Sequence, residues 1–128
     1  MKQTDCSVLI IDDVASVREY LRQTLMLLGV TQVCEASNGA LGINAYSKKQ
    51  QDVVFLDIEL PDCDGKSLLR QIKEINPHAN VIIMTAHSTV ENVQQSIVAG
   101  ACGFIAKPFS AKKIESVLNK CQKTRVSA

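Results

Sequence analysis

The hydrophobic residues of this chain fall into short unbroken runs, separated by longer stretches in which apolar residues recur at helical spacing. The runs are SVLII (7–11), QVCEA (32–36), VVFL (53–56), VIIM (81–84) and GFIA (103–106), and the second and the last are the weaker ones. A continuous apolar run of this length is typical of a strand buried on both faces, as in a parallel sheet covered by helices. The pattern therefore predicts five such strands.

The stretches between the runs predict amphipathic helices whose apolar stripes pack against the sheet. Four stripes are clear: Val14, Val17, Leu21, Leu25 and Leu28; Leu68, Ile72 and Ile75; Val90, Val93, Ile97 and Val98; and Ile114, Val117, Leu118 and Cys121. Residues 38–49 predict a further, less clear helix. Gly29 stands where a glycine would end the first helix, and Ser88 with Glu91 has the spacing of a capping box before the Val90 stripe.

Five β-α units in succession predict an α/β protein. Parallel strands joined by right-handed crossovers give three layers, with helices on both faces of the sheet. We expect a flavodoxin-like three-layer sandwich, with a five-stranded parallel sheet of order 2-1-3-4-5 and five helices. No linker or repeat divides the chain, so residues 1–128 are expected to form a single domain, with a core from about residue 6 to 122 and a short C-terminal tail.

Polar residues follow four of the predicted strands. Asp12 and Asp13 come after the first strand, Asp57 after the third, Thr85 after the fourth and Lys107 after the fifth. In open α/β sheets the ligand site lies outside the carboxyl ends of the strands, where the strand order reverses. Each residue alone is compatible with a cap, a turn or a surface charge, but together they predict a site at this edge.

The charges at this edge indicate the chemistry of the site. Adjacent carboxylates raise one another's pKa unless a cation compensates them. Oxygen ligands in a partly hydrated site suit Mg²⁺, which takes one or two carboxylates together with waters and phosphate oxygens. A metal beside a carboxylate and a lysine favours phosphoryl chemistry, in which the carboxylate is a nucleophile that forms an aspartyl phosphate.

Four motifs carry a resemblance to a known family: LIIDD (9–13), FLDIELPDCDG (55–65), MTAH (84–87) and FIAKPF (104–109). In combination and spacing they resemble the receiver domain of two-component response regulators, from residue 6 to about residue 122. The resemblance implies a single-domain, chemotaxis-receiver-like signalling protein rather than an enzyme. Such a protein catalyses its own phosphorylation and dephosphorylation and switches a face that binds partners.

The resemblance also implies roles at the matching positions. Asp57 would accept a phosphoryl group from the phosphohistidine of a sensor histidine kinase or phosphotransfer protein, or from a small phosphodonor. Asp12, Asp13 and Asp57 would bind Mg²⁺, with the backbone carbonyl of Glu59 as a further ligand. Lys107 would contact Asp57 and the phosphoryl group.

Other positions would control the response. Thr85 and Phe104 would be the switch residues, although a phenylalanine at the end of a strand is equally compatible with core packing. In the family the Lys107-Pro108 bond is cis. Glu59 and His87 occupy the two variable positions that tune loss of the phosphoryl group, and the alternative for His87 is a solvent-exposed loop residue.

The output face of the family consists of helix 4, strand 5 and helix 5. Here it would include residues among Val90–Ala99 and Lys112–Lys123. Residues 65–128 carry nine basic and three acidic side chains, which favours an acidic protein partner. The cognate kinase and the downstream target cannot be predicted from these residues.

The composition narrows the class of protein further. With 46% hydrophobic residues, 21% charged residues and a net charge of +1, the chain has the makeup of an ordinary globular domain. No apolar run approaches the roughly 20 residues that cross a bilayer, and the first residues lack the layout of a signal peptide, so we expect a cytoplasmic protein without a membrane partner. Few aromatic residues and no clustered basic run argue against nucleic-acid binding.

The five cysteines lie far apart and form no CxxC pair. An odd count without an export signal argues against a disulfide framework, and we expect most of the cysteines to be small apolar packing residues. Cys63 differs from the others because it lies in the loop after Asp57. For this residue, exposure with a redox role is a minor alternative to packing.

Three other functions stay open on the residues alone. A hydrolase of the haloacid dehalogenase type also uses Mg²⁺, an aspartate nucleophile and a lysine, but its nucleophile follows the first strand of its core. A flavodoxin-like cofactor binder needs loops rich in Ser, Thr and Gly, whereas the first loop here is acidic. The third is a receiver that binds partners without being phosphorylated. Such a protein has no need of the acidic, hydroxyl and lysine residues of the site, so their presence here argues against it.

Overall fold

The structure is a computed structural model that describes residues 6–127, with side chains up to residue 121. Five strands and five helices alternate along these residues. The strands are β1 (Ser7–Ile11), β2 (Gln32–Ala36), β3 (Val53–Asp57), β4 (Val81–Thr85) and β5 (Gly103–Ala106). The helices are α1 (Ala15–Leu27), α2 (Gly39–Lys48), α3 (Gly65–Ile75), α4 (Val90–Val98) and α5 (Ala111–Ser127). Within the described range, no helix has the length and hydropathy to cross a membrane.

The strands form one parallel sheet in the order β2-β1-β3-β4-β5. In this register Val8 of β1 lies between Val33 of β2 and Val53 of β3. The α/β fold and the strand order that the sequence predicts are therefore confirmed. Because the order reverses between β1 and β3, the carboxyl ends of these two strands border a crevice.

Alternate residues of the central strands face opposite sides of the sheet and build two hydrophobic clusters. The first cluster joins the strands to α1 and α5, through Val8, Ile10, Val53, Phe55, Ile82, Met84, Leu21, Leu25, Ile114 and Leu118. The second joins them to α2 and α3, through Leu9, Ile11, Val54, Leu56, Ile83, Tyr46, Leu68, Leu69 and Ile72. Helices thus cover both faces, and the three predicted layers are present.

The edge strand β2 differs from the expectation of burial on both faces. Among its residues only Ala36 is buried. The side chain of Glu35 turns outward, accepts a hydrogen bond from Nε of Arg18 at 3.1 Å and forms an ion pair with Nε of Arg22, also at 3.1 Å. An edge strand that carries charges in this way is protected from pairing with another chain.

Two expectations for α4 are wrong. The residue that caps the helix is Thr89, whose hydroxyl accepts from the backbone N–H of Asn92, so the predicted capping box at Ser88 and Glu91 lies one position too early. The predicted apolar stripe is also largely in solvent, since Val90, Ile97 and Val98 are 73, 61 and 87% exposed. The reason is that α4 lies beside the edge strand β5 and the only side chain it buries is that of Ser96.

The expectation that the cysteines are mostly packing residues outside any disulfide framework is wrong for one pair. Cys102, which precedes β5, is bonded to Cys121 of α5 across a Cα–Cα distance of 5.8 Å. These residues are 19 positions apart, and only the packing of α5 on β5 brings them together. Cys34 is exposed rather than a packing residue, and Cys63 is partly exposed.

Gly65 allows α3 to begin directly against the end of β3. A Cβ atom at this position would contact the Cα atom of Ile58 and come within 2.5 Å of the carbonyl oxygen of Asp57, and both are backbone atoms.

We expect Gly65→Ala to lower the free energy of unfolding by about 1–3 kcal/mol, because the loop after Asp57 must shift. Thermal unfolding measures this, with Ser67→Ala on the exposed side of the same turn as control. Equal midpoints for the two variants would contradict the close packing.

Candidate functional site

Four strands deliver polar side chains to the carboxyl edge of the sheet. Asp12 and Asp13 directly follow β1, Asp57 and Thr85 are the last residues of β3 and β4, and Lys107 directly follows β5. The structure brings the carboxylates of Asp12, Asp13 and Asp57 together, with one oxygen of each within 4.8 Å of the others. The three acidic residues that the sequence selects thus form one cluster.

Lys107 links two of these carboxylates. Its Nζ donates to Oδ2 of Asp12 at 2.7 Å and to Oδ2 of Asp57 at 3.2 Å. The backbone N–H of Lys107 donates to the carbonyl of Thr85 at 2.7 Å, which fixes the start of this segment against β4. The Lys107-Pro108 peptide bond is cis.

The side chain of Asp57 is buried and carries charge at a cost. Burial is the main cause that raises its pKa above the ordinary value, and the neighbouring charge of Asp12 adds to this effect. The backbone N–H of Glu59, which donates to Oδ1 at 3.0 Å, and the ammonium of Lys107 act in the opposite direction without cancelling it. A further cation near Asp57 would therefore be stabilising.

Lys107 is the complementary charge. Burial on its own would lower its pKa, but the hydrogen bond and the charge of Asp12 together with those of Asp57 outweigh burial, so its pKa is raised. The side chain is 19% exposed. Lys107 is thus a permanently charged ammonium held at the rim of the acidic cluster.

The two residues of the first acidic pair have different environments. Asp12 is fully buried, and its Oδ1 accepts from the backbone N–H of Val14 at 2.9 Å. Asp13 is exposed. The cluster therefore has a buried side and an open side, with oxygen as its only ligand atom, and this donor set fits a hard, partly hydrated divalent cation such as Mg²⁺.

Glu59 and His87 contact each other rather than the acidic cluster. Nδ1 of His87 lies 2.7 Å from Oε1 of Glu59, and both side chains are more than half exposed. The carboxylate of Glu59 is thus turned toward the segment after β4. His87 lies on the surface, as the alternative reading of its position expects, but it has a defined partner.

The two predicted switch residues lie on the neighbouring strands β4 and β5. Thr85 is fully buried, and its hydroxyl accepts from the backbone N–H of His87 at 2.9 Å. Phe104 of β5 is half-buried and packs against the hydrophobic cluster that faces α2 and α3.

Sequence reasoning missed two residues that connect the segment after β4 to the helices. The side-chain amide of Asn92 on α4 donates to the carbonyl of His87 at 2.9 Å and accepts from the ammonium of Lys66 on α3 at 3.1 Å. Lys66 also donates to Gln95 of α4. No sequence motif marks these residues, because Asn92 lies 5 positions from His87 and Lys66 lies 26 and 29 positions from Asn92 and Gln95.

The raised pKa of Asp57 has a consequence for stability. Between the ordinary and the raised pKa the folded chain binds more protons than the unfolded chain, so the free energy of unfolding falls as pH rises through this window. Asp57→Asn removes the charge while Lys107 keeps Asp12 as a partner. We expect the variant to raise the thermal midpoint by roughly 2–5 °C at neutral pH without divalent cations, with a difference that shrinks as pH falls toward 4.

Asp62→Asn is the matched control for this measurement. Asp62 is exposed, and hydrogen bonds from the backbone N–H groups of Gly39 and Ala40 lower its pKa, so its substitution should lower the midpoint at neutral pH. A midpoint of Asp57→Asn at or below that of the parent chain would contradict the electrostatic account.

The fold and the acidic edge define a doubly wound α/β protein with a carboxylate and lysine site at its topological switch point. The family described as the response regulator receiver domain matches residues 8–119. The chain is 37% identical to the chemotaxis protein CheY of Bacillus subtilis over 113 residues, which cover 88% of this chain and 94% of that protein. It is 34% identical to the sporulation initiation phosphotransferase F of the same organism, over 88% of this chain and 90% of that protein. The chain therefore belongs to the response regulator receiver family.

Solved structures agree with this assignment. A CheY-like receiver domain protein from Methanospirillum hungatei superposes with a TM-score of 0.88 at 26% identity, covering 96% of this chain and 98% of that one. A chain of the CheX-CheY-BeF3-Mg+2 complex from Borrelia burgdorferi superposes with a TM-score of 0.85 at 30% identity, covering 88% and 86%. The CheY-like architecture extends over nearly all of this chain.

Proposed function

We propose that this chain is a phosphoacceptor of two-component signalling, which receives a phosphoryl group on Asp57 from a sensor histidine kinase or a phosphotransfer protein. The observation that carries the proposal is the joint contact of Lys107 with Asp12 and Asp57 inside a cluster of three carboxylates. The three carboxylates repel one another, so a bound cation would be stabilised by relieving this repulsion. That cation and Lys107 would then attract the oxygens of a phosphoryl group.

The metal of this site would be Mg²⁺, held by Asp12, Asp13 and Asp57 and by the carbonyl of Glu59. When bound, it supplies positive charge that offsets the carboxylates and the transferred phosphoryl oxygens. The Mg²⁺ named in the Borrelia burgdorferi complex supports this choice by analogy.

Phosphoryl transfer would then depend on the residues of the chain. A carboxylate oxygen of Asp57 forms the bond to phosphorus while the P–N bond of the donor phosphohistidine breaks and the imidazole leaves. β3 and the hydrogen bond from the N–H of Glu59 hold Asp57 in place. Lys107, whose Nζ is 3.2 Å from Asp57, compensates the developing charge.

The response would start at Thr85 and end at the partner. A phosphoryl dianion on Asp57 offers acceptor oxygens for the hydroxyl of Thr85, which at present accepts from the N–H of His87. Movement of this hydroxyl and its loop makes room for Phe104 to turn inward and changes the face formed by α4, β5 and α5, through which a downstream protein would bind. We propose a cytoplasmic location, where kinase and target meet.

Phosphotransfer from kinases tests this function. A panel of autophosphorylated, radiolabelled sensor histidine kinases is mixed with the chain and with Asp57→Asn, and the label on each is followed by gel electrophoresis. At least one kinase should transfer its label rapidly to the parent chain and not to the variant. If no kinase transfers label although acetyl phosphate modifies the chain, the donor part of the proposal is wrong. Failure of both donors would contradict the function itself.

Glu59 provides a prediction about access to the site. Its carboxylate is exposed two residues after Asp57, to which its backbone N–H donates, and its negative charge near the site repels small anionic phosphodonors. We expect Glu59→Asn to speed phosphorylation by acetyl phosphate roughly two- to fivefold at low ionic strength, with a smaller gain in high salt. The rate of dephosphorylation should change as well, because Glu59 and His87 together border the site.

The control for this prediction is Glu91→Gln, which removes an exposed carboxylate from α4 outside the acidic cluster. Stopped-flow or quench measurements of phosphorylation and its decay give both rates. A Glu59 variant with unchanged rates at every salt concentration would contradict the role of this side chain.

A further inference from the structure

The disulfide between Cys102 and Cys121 joins two elements of the receiver fold. Cys102 lies directly before β5, whereas Cys121 lies on α5, in the hydrophobic cluster between the sheet and that helix. The enclosed loop contains the whole of β5, Lys107 and the first part of α5. The bond thus connects both ends of the segment that carries Lys107.

The approach of α5 to β5 depends on Gly103. A Cβ atom at this position would lie 2.5 Å from Cγ2 of Val117 and 3.5 Å from Sγ of Cys121. The absence of a side chain therefore lets the two cysteines reach bonding distance. Ile114 and Leu118, which are fully buried, hold the helix in this position by packing.

The two cysteine residues differ in their exposure to solvent. Cys102 is partly exposed, whereas Cys121 is fully buried. Of the two residues, Cys102 is therefore the one that a small thiol or disulfide in solution can approach. This asymmetry sets the order of an exchange reaction, because the accessible sulfur must react first.

We propose that Cys102 and Cys121 form a reversible thiol–disulfide site, at which a low-molecular-weight disulfide oxidises the pair and the corresponding thiol reduces it. In oxidation, the thiolate of Cys102 attacks a sulfur of the small disulfide and releases one thiol. The thiolate of Cys121 then attacks the mixed disulfide at Cys102 and releases the second thiol. Two electrons pass to the small disulfide, and the two cysteine protons end on the released thiols.

The other cysteines with described environments do not replace Cys102 or Cys121 in this bond. Cys34 is exposed on β2, at the opposite edge of the sheet from β5, so it is outside bonding distance of either residue. Burial and the charge of Asp62 raise the pKa of the Cys63 thiol, so it forms little of the reactive thiolate. In the cytoplasm that we propose for this chain, disulfides are mostly transient or redox-sensing, which favours a reversible bond over a permanent one.

The bond controls a surface as well as a loop. A groove of about 450 Å³ runs between α4 and α5 over β5, with Phe104, Lys113, Val117 and Lys120 among its lining residues. In the oxidised chain the α5 wall of this groove cannot separate from β5. In the reduced chain that wall is held by packing alone, so α5 opens more often. The redox state therefore sets the rigidity of the groove.

The first test is a thiol count on the whole chain. The protein is equilibrated in buffers with different ratios of reduced to oxidised glutathione, quenched with acid, alkylated in denaturant and weighed by mass spectrometry. We expect the alkylated thiols of Cys102 and Cys121 to be lost together as the buffer becomes oxidising, with the two residues linked in the peptide map, and to return in reducing buffer, whereas glutathione adducts on other cysteines are distinguished by their added mass. A pair that stays reduced at every ratio, or a bond that glutathione cannot reduce in the native chain, would overturn the proposal.

The second test measures how the disulfide changes the stability of the chain and the opening of α5. We expect the thermal midpoint of the oxidised chain to exceed that of the reduced chain by roughly 5–10 °C, because the bond restricts the unfolded state. The amides of α5 should exchange with deuterium several-fold more slowly in the oxidised chain. In Cys102→Ser both differences between oxidising and reducing buffer should vanish, whereas Cys34→Ser should retain them. Identical midpoints and exchange rates in the two buffers for the parent chain would contradict the claim that the disulfide restricts α5.

Discussion

Asp57→Asn is expected to abolish phosphorylation of this chain by acetyl phosphate and by phosphohistidine donors, a loss of at least about 10³-fold in rate. The variant keeps the shape of the side chain and removes the nucleophilic charge. Neither neighbouring carboxylate can replace it. Both oxygens of Asp12 are engaged, one by the N–H of Val14 and one by Lys107, and Asp13 lies on the exposed side of the cluster.

Asp62→Asn is the control, because it removes a second carboxylate from the segment after β3 without touching the acidic cluster. It should be phosphorylated at the parent rate. A phosphoryl adduct of normal rate and amount on Asp57→Asn, mapped by peptide sequencing to another residue, would mean that the strand end is not the acceptor.

Lys107→Met should have the second largest effect. Removal of one preorganised positive group from a developing charge costs about 10²–10³-fold in rate. Here the loss includes a second contribution, since Asp12 is fully buried and would lose the ammonium that lies 2.7 Å from its Oδ2. We therefore expect slow phosphorylation of Lys107→Met, measured as the rate of adduct formation at saturating Mg²⁺, and a further rise in the pKa of Asp57, which Lys107 now lowers.

Lys112→Ala is the matched control, since Lys112 is an exposed lysine in the first turn of α5. Its phosphorylation rate should equal that of the parent chain. A Lys107→Met rate within twofold of the control would show that the ammonium has no part in the chemistry. Thermal unfolding of both variants separates a loss of chemistry from a loss of fold.

The sequence predicted the positions of the strands and of the strand ends with good accuracy. Runs such as 53–56 and 81–84 are apolar at every position because both faces of the sheet are covered, and this requirement is visible in a single sequence. Once the strands are parallel, topology alone brings Asp57 and Lys107 to one edge although they lie 50 positions apart.

The features that sequence missed depend on tertiary packing. Val98 has the spacing of a core residue on α4 but is exposed, because that helix lies at the margin of the sheet and has no layer above its outer face. The Cys102–Cys121 bond and the contact between Glu59 and His87 join residues 19 and 28 positions apart, and no local pattern encodes either distance. Helical periodicity shows which residues share a face and not what covers that face.

The most direct test of the central claim is the intact mass of the parent chain after incubation with acetyl phosphate, in the presence of Mg²⁺ and in EDTA. The account predicts a single phosphoryl adduct that forms with Mg²⁺, does not form in EDTA, and decays after the donor is removed. An adduct that forms equally well in EDTA would contradict the assigned role of the acidic cluster. No adduct under either condition, or continuous hydrolysis of the donor by a chain that is never modified, would contradict a receiver that stores the phosphoryl group on Asp57.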